Sequence, residues 1–170
     1  MAAAMMCGCC CCDKEYKMGT YGYDLAFFAR HEISTVELES VDGRSRLLAV
    51  PEYQGRVMTS TADGLDGKSY GWINYKFIEA GKVSPQFNPF GGEERFWIGP
   101  EGGPFSYYFK RGDEQVYENW KVPAPIDTDA YDIERQSESE VVFVKDFKVR
   151  NASDIEFAMG VRRIISMLDK

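Results

Sequence analysis

The sequence predicts an all-β fold with minor short helices, built as an antiparallel β-sandwich. Apolar residues recur at every second position over Val36 and Leu38, and again over Ile155, Phe157, Met159 and Val161, which is the period of a half-buried strand. Turn signals such as Asp42-Gly43 and Asn151 to Asp154 separate these runs. A chain of 170 residues, 44% apolar and 14% aromatic, has enough apolar surface for one core.

The elements follow in chain order. Residues 1–19 are expected to be a disordered cysteine-rich tail or signal remnant, and residues 20–170 the sandwich domain. Asp24 is placed to cap a two-turn helix ending near Arg30, with Leu25 and Phe28 on one face. Strands are expected from Ser34, over Leu47 to Val50 before Pro51, and over Gly55 to Ala62. The segment "SYGWINYKFIEAGK" holds Ile73 and Phe77 at helical spacing, with Gly81 as a stop, so a short helix is favoured over a strand.

Between Ser84 and Pro104 lie five of the sixteen glycines and four of the seven prolines, the composition of a long structured loop. "PFSYYFK" alternates as a strand after it, and Arg111 to Asp113 is read as a plain turn rather than an adhesion motif. Tyr131 and Ile133, then Val141 to Val149, then Ile155 onward predict three antiparallel strands. Arg162 and Arg163 break the last alternation, and a β-bulge there would return Ile164 to the core face. A strong apolar strand this close to Lys170 needs a neighbour. The sandwich is therefore expected either to close on its earlier strands or to be the first half of something larger.

Charge excludes one partner class. The net charge is -7 and no Lys/Arg cluster is present, so nucleic acid is a poor candidate. No apolar run reaches the roughly 20 residues of a membrane-spanning helix. All five cysteines, Cys7, Cys9, Cys10, Cys11 and Cys12, lie in one tract, for which three readings stay open. Gly8-Cys9 resembles a lipoprotein cleavage junction, which would give a lipid anchor and a cell-envelope or periplasmic domain, although the basic and apolar regions of a signal are missing. A metal site would need a second cluster. A tail without a role is the third, and a cytoplasmic location is the alternative to the envelope. No cofactor and no metal are expected.

The most unusual chemistry lies in "FGGEERFWIGPEGG", Phe90 to Gly103. Glycines let backbone approach a ligand closely. Arg95 is suited to donate to sugar hydroxyls or a carboxylate, Trp97 to stack on a pyranose ring, and Glu94 and Glu101 to accept from hydroxyls. These four are the candidate ligand-binding residues, with a sugar or glycan fragment as partner. The structural alternative pairs Glu94 or Glu101 with Arg95 and uses Phe96 and Trp97 as a plug. Trp120 is read as packing.

"TYGYDLAFFARH", "PEYQGRVMTSTA", "GWINYKFIEAGK" and "GGEERFWIGPEGG", in this order, resemble an uncharacterised bacterial family that is itself similar to the galactose mutarotase-like (aldose 1-epimerase-like) proteins. The resemblance covers roughly Thr20 to Lys170. It implies a supersandwich with a sugar-sized groove, of which this chain would hold the amino-terminal portion. Mutarotation uses a glutamate base and a histidine acid, and no residue here matches that pair. His31, the single histidine, is read as solvated or capping. Enzymatic activity is therefore left open, with an aldose 1-epimerase-like isomerase as the form it would take. Two functions follow: a carbohydrate-binding, mutarotase-like domain, or an envelope-anchored structural or protein-interaction module.

Overall fold

A computed structural model describes residues 14–168. The cysteine tract, with the anchor and metal readings placed on it, lies outside the described residues. The protein is mostly β, with three small antiparallel sheets and few helices.

Thr20 opens helix α1 (Tyr21–Arg30), its extended backbone and side-chain oxygen receiving the Tyr23 N–H at 3.4 Å. This corrects the expected cap. Asp24 lies inside the first turn and is buried, because the hydroxyls of Ser69 and Tyr75 draw its carboxylate inward. The helix buries Tyr21, Phe27 and Phe28 on its inner face.

Strands β1 (Val36–Glu39), β2 (Arg46–Val50) and β3 (Arg56–Thr61) form the first sheet, in that order. Period two sends their side chains to opposite faces. Leu48, Val50 and Met58 meet α1, Ile73 and Phe90 in one core, while Val36, Leu38 and Ala49 meet Val141 and Phe143 in another. The register of β2 against β3 shifts between Leu48 and Ala49.

The expected helix after Ser69 is shorter than the segment proposed for it. A two-residue strand β4 (Trp72–Ile73) precedes helix α2 (Tyr75–Glu79), which Asn74 caps by accepting from the Phe77 N–H. β4 pairs with β5 (Gly91–Gly92) inside the long loop. Gly91 has φ of +100°, and a Cβ there would sit 2.2 Å from the Trp72 carbonyl oxygen. Only glycine fits this crossing.

β6 (Asp132–Gln136), β7 (Glu140–Arg150) and β8 (Glu156–Ser166) form the last sheet. The bulge expected at Arg162 and Arg163 is absent. Pairing of β7 with β8 is unbroken, with Phe143 opposite Arg163 and Val142 opposite Ile164. Arg163 consequently shares the core face with Phe143, and Ile164 is 54% exposed. An arginine is tolerated inside because Glu94 receives its guanidinium. The register of β6 against β7 does shift, between Ile133 and Arg135.

The strand expected over "PFSYYFK" is also absent, since residues 104–110 form no strand. The Ser106 hydroxyl donates to the Glu101 carbonyl at 2.8 Å and its oxygen receives the Tyr108 N–H at 3.1 Å. Such local serine bonds compete with a ladder. A third core collects around Tyr108, Phe109, Val122 and Ile126, with Phe87, Trp97 and Trp120 packed on it.

Burial pushes the Asp24 carboxyl above its ordinary 3.8, against the lowering effect of the hydroxyls of Ser69, Tyr75 and Thr59. The folded state then binds the proton more tightly than the unfolded state, so this group stabilises at low pH and its contribution falls as pH rises from 3.8 through the folded value. Asp24→Asn should flatten that fall, measured as urea-unfolding free energy from pH about 4 to 7. Asp24→Ala should cost about 1–3 kcal/mol, because two hydroxyls lose their acceptor.

Candidate functional site: the glycine-rich loop and the adjoining cleft

The loop side chains divide between two neighbourhoods. Glu94 turns back towards the first sheet, where its Oε1 accepts the Val57 N–H at 3.1 Å and also meets the Arg163 guanidinium. Arg95 turns the other way. Its Nη2 donates to Asp127 Oδ1 at 2.6 Å and to the Ile126 carbonyl at 2.9 Å. The pairing expected within the loop, Arg95 with Glu94 or Glu101, is replaced by this one to Asp127, 32 residues along the chain. Asp127 is buried and also accepts from the Asn88 backbone N–H at 3.2 Å and side-chain amide at 2.7 Å.

Trp97 continues this second neighbourhood. The Arg95 guanidinium lies 4.5 Å from its ring centre and 4.7 Å from that of Phe87. Tyr108 stacks on Trp97 at 5.3 Å, and Trp120 stacks on Tyr108 at 5.5 Å. The indole N–H donates to Glu101 Oε1 at 2.7 Å. Arg95, Trp97 and Glu101 are thus one connected set, and Glu94 stands apart from it.

Beneath the loop lies a residue that sequence reasoning passed over. Arg56 is buried, donating to the Gly91 carbonyl at 2.7 Å and to Gln54 Oε1 at 2.8 Å. Burial pushes its pKa down to about 10, nearby Arg95 adds to the shift, and Glu94 opposes it. A cation between Gly55 and Val57 in a strand carries no sequence signal of burial.

The aromatic set backs onto an open cleft of about 880 Å³. One wall is the segment Tyr107 to Arg111, another is Lys121 to Pro125, and the end of β7 with Asn151 and Asp154 completes it. Asp113 and Asn119 also face it. Backbone bonds fix these walls: Lys121 N–H to the Tyr108 carbonyl at 2.9 Å, and Ala152 N–H to the Ser106 carbonyl at 2.8 Å. Asn151 shapes the β7–β8 turn by accepting the N–H groups of Ser153 at 3.1 Å and Ile155 at 3.0 Å.

A smaller groove of about 330 Å³ shares Phe109 with this cleft and is lined by Glu101, Gln115, Tyr117 and Trp120. Glu101 is the one member of the expected set that lines either space. The convergence of Lys110, Lys121, Lys148 and Arg150 joins segments too distant in the chain for spacing to reveal. His31 closes α1 as its C-cap residue, with its ring 4.5 Å from that of Phe27. Among the described residues, no three His, Cys, Asp or Glu side chains gather as metal ligands, and no helix is long and apolar enough to cross a membrane.

The model of a family of unknown function, DUF6786, matches residues 19–170, and the chain belongs to that family. No curated protein matches, and no solved structure matches.

Asp127→Ala should destabilise the protein by about 3–5 kcal/mol, because it leaves the largely buried Arg95 charge without its partner. Urea unfolding followed by tryptophan fluorescence measures this. Loss of near-ultraviolet dichroism from Trp97 should accompany it.

Proposed function

We propose that the chain is a carbohydrate-binding domain of the mutarotase-like sandwich type, taking its ligand in the cleft and the groove that adjoins it. The sandwich is supported by the first and last three-stranded sheets sharing one core, through Leu38 and Ala49 on one side and Val141 and Phe143 on the other. The observation that carries the binding reading is the lining of the two spaces. Aromatic side chains, Tyr107, Phe109 and Trp120, stand beside hydroxyl partners, Glu101, Asp113 and Asn119. Sugars ask for that mixture: C–H faces that pack on rings, and hydroxyls that need donors and acceptors. The larger space falls within the roughly 300–1,000 Å³ of small-molecule sites.

Within this reading Arg95 and Trp97 act from behind the wall, since Asp127, Phe87 and Tyr108 already occupy them. Glu101 is placed to accept from a ligand hydroxyl while it holds the indole N–H. Titration with monosaccharides and short glycan fragments should give saturable quenching of tryptophan fluorescence. Glu101→Ala and Asn119→Ala should each weaken binding about 2- to 10-fold, the worth of one hydrogen bond. No response to any sugar would end this reading.

A second reading, an envelope-anchored interaction module, draws on β8. This strand is an edge of its sheet, Phe157 and Ile164 are exposed along it, and Ile155 is exposed just before it. Unpaired edges of this kind recruit other strands. Sedimentation velocity should then show self-association that Ile164→Lys suppresses. A single monomeric species at every concentration counts against it.

A further inference from the structure

We propose that the cleft takes an acidic saccharide, a sugar unit bearing a carboxylate, with Lys110 and Lys121 as the groups that receive the charge. The inference rests on the carbohydrate-binding reading and adds the class of sugar. Five cationic side chains line the cleft, Lys110, Arg111, Lys121, Lys148 and Arg150, against two acids, Asp113 and Asp154.

Most of these charges are already matched. Arg150 holds Asp154 at 3.0 Å and Glu156 at 2.9 Å, Lys148 holds Glu156 at 3.2 Å, and Arg111 lies 3.8 Å from Asp154. Asp113 accepts the Lys110 backbone N–H at 3.3 Å and has no cation against it among the described residues. Lys110 and Lys121 are exposed, and neither ammonium has an acidic partner among the described residues. The two stand on adjoining walls that one backbone bond holds together, Lys121 N–H to the Tyr108 carbonyl, with Lys110 two residues after Tyr108.

The setting sharpens the point. The whole chain carries a net charge of -7, a field that repels anions at long range. A cationic cleft reverses that field at one place. A neutral sugar gains nothing from such a reversal, whereas a carboxylate does. The aromatic wall and Asn119 distinguish a saccharide from a bare anion, because they supply a stacking face and a hydroxyl partner that an inorganic ion cannot use.

The test compares di- and trigalacturonate with galactose oligomers of the same length, by calorimetry on the full chain. The uronates should bind about tenfold more tightly at low ionic strength, and the advantage should shrink in about 0.5 M sodium chloride. The double variant Lys110→Ala, Lys121→Ala should lose that preference and keep its affinity for the neutral oligomers. Its melting temperature serves as the folding control. Equal affinity for acidic and neutral oligomers overturns this inference and leaves the carbohydrate reading standing. Binding of neither class overturns both. Competition by inorganic phosphate as effective as the uronate overturns the saccharide part.

Discussion

The ion pair between Arg95 and Asp127 is the constraint on which the irregular half of the molecule, with the candidate cleft, depends. The residues from 84 to 129 contain almost no regular structure, so apart from the two-residue pairing of β5 with β4 and scattered backbone bonds no ladder holds them. One buried carboxylate adds to these, collecting Asn88 and Arg95, whose guanidinium also reaches the Ile126 carbonyl in the turn that ends the second cleft wall. Desolvating such a pair is costly, and additional hydrogen bonds make it tolerable. Asp127 has them, which is why an irregular segment is able to present a fixed aromatic surface.

The same economy of charge recurs where the loop meets the sheets. Arg56 fills the space beside Gly92, where an added Cβ would come within 2.6 Å of its Cδ. The glycine and the arginine are therefore one feature: the backbone comes close because the long side chain takes the room. Among the described residues, the buried Nε of Arg56, Arg95 and Arg163 and the Tyr131 hydroxyl have no hydrogen-bond partner. Unsatisfied donors of this kind are uncommon in folded proteins.

Much of the fold was legible because period two is a strong signal. Val36 with Leu38 lie in a strand as their alternation indicates, and the apolar run that opens Val141 to Val149 lies in one as well. Two of the failures share a cause, a partner far along the chain. Asp24 looked like a cap because nothing nearby announced Ser69 and Tyr75. Arg163 looked like the start of a bulge because Glu94, 69 residues away, was invisible as its counter-charge. The aromatic run from 105 to 109 had the propensity of a strand but no strand to pair with. At the site, Arg95, Trp97 and Glu101 of the glycine-rich loop join one connected set, while Glu94 turns to Val57 and Arg163. The cleft itself, assembled from three separate segments, had no local signature.

The uninterrupted pairing of β7 with β8 gives the last hairpin a parity. Deleting a single residue at the start of β8 would exchange its inside for its outside, bringing Ile164 opposite Phe143 in place of Arg163, which turns towards solvent and leaves Glu94 facing an isoleucine. Changes of two residues would preserve every facing. Length variation in this hairpin should therefore come in even steps, and an odd step would be accommodated only where a bulge absorbs it.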